Sequence, residues 1–269
     1  MRFPSVSSAL WRERMANGEV LDASGVALHP NSSYTPHQKI FYYRSVFAES
    51  RIPFDEVILY RDDYVVVVDK PHFLPVTPSG NYLQETLLVR LKRTLGIDTL
   101  APMHRIDCDT AGLVIFTIDP ATRSSYQELF RNQAVTKVYY AVAPYRADLP
   151  SPFVYRSRLI DGDHFMQVRE TSGLTNAQTT IQVQAIRNHY ALYQLSPATG
   201  YRHQLRVQMA ALRLPICNDR LYPILQPKPG PAVSPNYSQP LQLLAASLTF
   251  IDPISRIARC FKSRRTLEW

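Results

Sequence analysis

The sequence is short of the residues from which several kinds of site are built. Nine glycines occur in 269 residues, and none forms a GxGxxG turn or a GxxxxGK[ST] loop, so a backbone cradle for nucleotide phosphates is not expected. Cysteine is scarcer. Cys108, Cys217 and Cys260 are widely spaced and odd in number, which excludes a disulfide framework and a CxxC or Cys/His zinc pattern and favours a reducing, cytoplasmic setting. HExxH and EF-hand patterns are also missing, and no metal or organic cofactor is expected. No apolar run exceeds the length of a buried strand, and the opening residues, MRFPSVSSALWRERMANGE, carry charge where a signal peptide would be apolar. Neither export nor a membrane span is expected.

Basic charge is plentiful. Thirty Lys and Arg against 22 Asp and Glu leave a formal charge of +8. Such an excess serves solubility, but it also attracts polyanions, because each neutralised phosphate releases a counterion. Nucleic acid is therefore the leading partner class. With 45% hydrophobic residues the chain has enough apolar surface for one large domain, or a main domain with a small appendage. A monomer is the default expectation.

Residues 1–52 read as a short, irregular extension, with turn residues every few positions and no long periodic helix; the main domain is expected over 53–269. DEVILYRDDYVVVVDKP predicts a hairpin turning at Arg61-Asp62-Asp63. In YLQETLLVRLKRTLG, Leu83, Leu87, Leu91 and Leu95 recur every four residues and Gly96 suits the left-handed position after the last turn, predicting an amphipathic helix. GLVIFTI predicts a buried strand, and Asp119-Pro120 the cap and first position of a helix over PATRSSYQELFRNQ. VTKVYYAVAPY, VYRSRLI, HFMQVRE, AQTTIQVQAI and HYALYQLSPA predict strands, RHQLRVQMAALR a helix, YPILQPKPGPAVSPNYSQP a loop, LQLLAASLTFIDP a late strand and SRIARCFKSRRTLEW a basic close. The fold class is α+β with a large mixed or antiparallel sheet and flanking helices and loops.

Three segments carry candidate chemistry. MHRIDCDTAGLVIF concentrates charge before an apolar strand, KVYYAV offers Lys137 and Tyr139, and ATGYRHQLRVQ offers Arg202, His203, Gln204 and Arg206. Taken singly, each has a plain structural explanation: an Asp capping a turn, a core aromatic, a solvated helix charge.

Taken in order, these segments resemble the RluA-like family of RNA pseudouridine synthases. That family carries H-R-L-D-x-x-T-S-G, K-x-Y-x-A, T-G-R-x-H-Q-I-R-V-H and P-I-x-G-D; this chain has HRIDCDTAG from His104, KVYYA from Lys137, TGYRHQLRVQ from Thr199 and PICND from Pro215. DKPHFLPVTP from Asp69 and LQLLAASLTFIDP from Leu241 match two further family segments, so the likeness spans about residues 55–252.

The resemblance implies the pseudouridine synthase catalytic fold, a cofactor-independent isomerase, and ribosomal or transfer RNA as partner. It implies that Asp107 is the catalytic aspartate, that Tyr139 stacks on the target base and Arg206 pairs with Asp107, and that Arg105 occupies the space a flipped uridine leaves. His104, Lys70, Lys137, Arg202, His203 and Gln204 are expected on the RNA-facing side. Some members carry an N-terminal S4 domain, of which residues 1–52 would be a truncated form. Three positions depart from the family: Tyr201 stands for an arginine, Gln208 for a histidine and Asn218 for a glycine. The departures at Tyr201 and Gln208 leave room for a non-catalytic RNA-binding or ribosome-assembly protein on this scaffold, and a hydrolase cleaving an N-glycosidic bond with the same aspartate is a second alternative.

Overall fold

A computed structural model of the chain describes residues 7–42, 49–80, 82–226 and 236–269. It divides into two compact units, Met1–Ala48 and Glu49–Trp269. In the first, helix α1 (Ser8–Ala16) starts where the Ser7 hydroxyl accepts the Leu10 N–H. Strands β1 (Val20–Leu21) and β2 (Phe41–Tyr42) then pair antiparallel. The sequence signalled no helix here because α1 has no apolar stripe. Its buried side chain is Arg14, whose guanidinium lies 5.8 Å from the Trp11 ring and 5.4 Å from the Tyr42 ring.

The second unit opens with the expected hairpin, β3 (Val57–Arg61) and β4 (Val65–Lys70). Asp62 makes its turn, one carboxylate oxygen accepting the N–H groups of Tyr64 and Val65 at 2.8 Å each. Helix α2 (Leu87–Leu95) runs from a Thr86 cap to Gly96 at φ 66°, as its leucine spacing predicts, although Leu83 lies ahead of it. There follow β5 (Ala101–Pro102), β6 (Ala111–Thr117), α3 (Arg123–Arg131), β7 (Thr136–Pro144), β8 (Phe153–Asp161), β9 (Val168–Thr171), β10 (Ala177–Arg187), β11 (Tyr190–Pro197), α4 (Gln204–Ala211), β12 (Leu243–Ile251) and β13 (Ala258–Lys262).

Two expectations are corrected. Asp119 does not cap α3; its carboxylate accepts the Ala121 N–H at 2.9 Å, and this local turn delays the helix to Arg123. The basic close is partly a strand, β13, in which Arg259 and Phe261 turn inward between more exposed neighbours. Part of the proline-rich loop lies outside the described residues. Among the described residues no helix is long and apolar enough to cross a membrane.

Eleven strands form one sheet. Its main path is β3-β4-β6-β12-β7-β11-β10-β8-β9, with β5 added to β6 and β13 to β12. All its pairings are antiparallel except β6 with β12, so the sheet is mixed and mostly antiparallel. The apolar runs of β4 and β6 follow from burial on both faces. Val66, Val68, Val114 and Phe116 pack with Leu87 and Leu91 of α2, while Val65, Val67, Leu113 and Ile115 pack with Tyr126 of α3. Helix α4 covers another part of the sheet, placing Leu205 and Met209 against Ala141, Tyr193 and Leu195.

One register row crosses five strands: Lys70 in β4, Gly112 in β6, Ala245 in β12, Tyr139 in β7 and Leu195 in β11. Gly112 is indispensable to it. Its φ is +110°, and a Cβ there would lie 2.2 Å from the Ala245 carbonyl oxygen, inside any van der Waals contact. Gly112→Ala is therefore expected to cost at least about 3 kcal/mol in a denaturant titration. An unchanged midpoint would contradict this role.

Candidate active site

The segment that opens on His104 forms the loop between β5 and β6. A turn, with the Thr110 N–H on the Asp107 carbonyl at 3.1 Å, presents Asp107. This loop is fastened to the DKPHFL segment by three contacts. The Lys70 ammonium donates to the carbonyls of Pro71, Leu74 and Cys108 at 2.8–2.9 Å. The Cys108 thiol donates to the Phe73 carbonyl at 2.8 Å, and His72 Nδ1 lies 2.7 Å from the Asp109 carbonyl oxygen.

Lys70 was expected to face RNA, and the structure corrects this. Its side chain is fully buried, and burial lowers its pKa to about 8, against the attraction of nearby Asp109 and Asp107. Three carbonyl acceptors satisfy all three of its donors, so it is a rivet under the loop. His104 is likewise turned inward. Its ring stacks on Phe130 at 4.4 Å and Nε2 accepts the Ile115 N–H at 3.3 Å. Arg105, the next residue after His104, is exposed.

Arg206 comes from the first turn of α4 and is 2% exposed. It is not the solvated helix charge that its surroundings in the sequence allow. Its Nε and one terminal nitrogen donate to the two oxygens of Asp219 at 2.8 and 2.6 Å, and its other terminal nitrogen donates to Asp107 at 3.1 Å. Asp109 stands 3.9 Å away, and the Tyr222 ring lies 5.6 Å from the guanidinium carbon. The carboxylates hold the guanidinium protonated despite burial, raising its pKa above the usual value.

The two main partners of Arg206 differ in kind. The Asp219 side chain is 1% exposed and also accepts the N–H groups of Leu221 and Tyr222, whereas the Asp107 side chain is 26% exposed and has one hydrogen bond from the arginine. A bidentate, desolvated pair is the stronger of the two. Asp219 therefore anchors the cation, and Asp107 is the carboxylate free to meet a ligand. Asp219 is the residue that sequence reasoning left without a role. The PICND segment contained the signal, a second acid in a matched motif, but no spacing indicates that it reaches Arg206.

His203, at φ 55°, begins α4; its Nε2 is 3.7 Å from Asp107 and its Nδ1 2.9 Å from the Tyr222 hydroxyl. Burial lowers its pKa, opposed by the Asp107 charge. Tyr139 is half-buried in β7, and burial, followed by the same charge, raises its phenol pKa. Gln204 and Lys137, both expected to touch RNA, tie down the turn at Thr199. Gln204 Oε1 accepts from the Thr199 hydroxyl and the Tyr201 N–H, its Nε2 donates to Gln178 and Thr179, and the Lys137 ammonium donates to the Thr199 carbonyl at 2.8 Å. Gln204 is 4% exposed, so its amide is spent inside the fold. Arg202 is exposed and reaches the β8–β9 turn.

The departures from the family pattern are accommodated locally. Buried Gln208 accepts from the Thr179 hydroxyl and donates to the Ser157 hydroxyl, at 2.6 and 2.9 Å. Asn218 takes φ 62°, a conformation that asparagine tolerates better than most residues, and its amide donates to the Pro240 carbonyl. Tyr201 is 47% exposed.

A sheet of this topology, carrying a part-exposed aspartate on a buried arginine beside a tyrosine, defines a nucleic-acid-modifying isomerase once its relatives are considered. The sequence profile of RNA pseudouridylate synthases matches residues 64–211, more than half of the chain. The dual-specificity RNA pseudouridine synthase RluA of Haemophilus influenzae is 30% identical over 211 residues, covering 77% of this chain and 92% of that protein. The tRNA pseudouridine(31) synthase of Saccharomyces cerevisiae is 28% identical over 192 residues, which span 61% of this chain but only about half, 46%, of the yeast protein. The solved structure of human RNA pseudouridylate synthase domain containing 4 superposes with a TM-score of 0.60 at 26% identity, over 78% of this chain and 88% of that one. The chain belongs to the RNA pseudouridylate synthase family. It is a pseudouridine synthase, an isomerase that acts on RNA.

The inward-facing, half-buried His104 ring makes a pH prediction. Burial, with the Lys137 charge second, lowers its pKa from 6.5 to about 3. Below the ordinary value the unfolded chain takes up a proton that the folded chain refuses, so stability falls as pH drops from 6.5 toward 3. In urea titrations the natural protein is expected to lose about 1.5 kcal/mol relative to His104→Gln between about pH 6.5 and about pH 5. Parallel pH profiles would contradict it.

Proposed function

We propose that Asp107 carries out the isomerisation, with Arg206 and Tyr139 completing the catalytic set, on specific uridines of structured ribosomal or transfer RNA. The observation that carries this reading is the asymmetry around Arg206: one carboxylate is buried and spent on holding the cation, the other opens to solvent. The transfer-RNA specificity of the yeast relative and the dual specificity of the Haemophilus one support the substrate class. The charge of +8 suits a polyphosphate ligand.

The reaction breaks the C1′–N1 bond of uridine, turns the base and joins C1′ to C5, which gives up its hydrogen as a proton while N1 takes one up. Atoms and electrons balance within the nucleotide and water, with no redox partner. A uridine in a stem must first leave its stack, at a cost of a few kcal/mol. Tyr139 supplies a flat face for the extruded base, and Arg105, exposed on the Asp107 loop, fills the vacated space. Asp107 then acts on the bound nucleotide either as nucleophile or by stabilising charge and moving the proton; both routes use the same placement of the carboxylate.

The test is release of tritium from RNA labelled at uridine C5, with Asp107→Asn as the comparison. The natural protein is expected to release tritium, and the variant to bind the same RNA with at least about a thousand-fold lower rate. Equal release by both proteins would remove Asp107 from the chemistry.

A further inference from the structure

We infer that the turn between β8 and β9 is a stacking platform, on which Phe165, backed by His164, takes the flat face of an unpaired base neighbouring the target uridine. The inference rests on the reading that Asp107 marks where that uridine binds.

Phe165 is 78% exposed. An aromatic ring in water forgoes the transfer energy that burial would give it, and a slack turn would let it fold back. This turn is not slack. Arg202 donates to the carbonyls of Phe165 and Gln167 at 2.8 and 3.0 Å and to the Asp161 carboxylate at 2.9 Å. From the other side the Gln167 amide donates to the Leu221 carbonyl, and the Val168 N–H to the Tyr222 hydroxyl, both at 2.7 Å. The His164 ring lies 4.7 Å from that of Phe165, tilted by 31°. The backbone is thus fixed while the aromatic tip stays in water.

The platform is continuous with the active site. Asp107 lies 3.7 Å from His203, His203 2.9 Å from the Tyr222 hydroxyl, and that hydroxyl 2.7 Å from the Val168 amide at the foot of the turn. Arg202 precedes His203 in the chain, so one segment sets both the neighbour of Asp107 and the brace of the turn. The acids beside the tip do not repel phosphate unopposed: Asp161 pairs with Arg202, and Asp163 lies 4.0 Å from Arg169. An exposed ring on a fixed turn, flanked by arginines, suits a nucleobase next to its phosphates, since every base has a face to stack and cations hold the backbone.

The experiment measures tritium release against concentration for transfer-RNA and ribosomal-RNA transcripts labelled at uridine C5, using Phe165→Ala, Phe165→Trp and Asp107→Asn. On the transcript that reacts, Phe165→Ala is expected to raise KM about ten-fold, the scale of one lost base–aromatic stack, and to leave kcat within about two-fold. Phe165→Trp should restore the natural KM. An unchanged KM in Phe165→Ala, or an equal loss in both Phe165 variants, overturns the platform. If Asp107→Asn releases tritium normally, the reading of the site fails, whatever Phe165 does. If Asp107→Asn is inactive while Phe165→Ala behaves as the natural protein, only the platform fails.

Discussion

The buried guanidinium of Arg206 organises this site. Taking the guanidinium of Arg206 out of water costs several kcal/mol, and the cost is met only if carboxylates of good geometry surround it. Asp219 meets it with two charge-assisted bonds from a buried position, and Asp107 adds one from a position open to solvent. Because Asp219 alone gives the arginine two bonds, the guanidinium is held whether or not Asp107 keeps its own bond, as the proposed role of Asp107 requires. A cation already in place requires no reorganisation as charge develops, the condition under which electrostatic stabilisation is most effective.

The remainder of the catalytic unit keeps the two halves of this contact in register. Arg206 is carried by α4, seated on β7 and β11, while Asp107 is carried by a loop between β5 and β6. The two parts of the sheet meet where β6 runs beside β12, and the absence of a side chain at Gly112 allows that approach. Lys70 and the inward His104 brace the loop from below. Gln204 and Lys137 do the same for the Thr199 turn that leads into α4. Most polar residues of the matched segments therefore serve as scaffold, and few are left to meet RNA.

How far the sequence revealed this follows from the range of each interaction. The β3–β4 hairpin, α2 and its Gly96 stop, and the buried strand β6 are written in local periodicity and turn chemistry, so they are legible. Helix α4 is also expected over RHQLRVQMAALR, although its burial on nearly every side is not, whereas α1 has no apolar stripe and leaves little pattern to read. The family likeness pointed to Asp107, Tyr139 and Arg206, and the fold brings Arg206 to Asp107 across 99 positions of chain. It did not distinguish ligand-facing residues from supporting ones. Lys70 and Gln204 are polar residues in matched motifs, and only long-range packing shows that their polar atoms are consumed inside the protein, while Lys137 gives one bond to the Thr199 carbonyl. Asp219 was hidden for the same reason, its partner being set by tertiary structure.

The most direct measurement of whether Arg206 must be held by Asp219 is kcat for tritium release by Asp219→Asn, alongside RNA affinity, at a temperature where circular dichroism shows the variant folded. With the anchor weakened, Arg206 no longer keeps its place beside Asp107. The account predicts a fall in kcat of about a hundred-fold, with affinity for RNA within about three-fold of the natural protein. A folded Asp219→Asn protein with natural kcat would contradict it, because the buried ion pair would then be structural ballast with no bearing on Asp107.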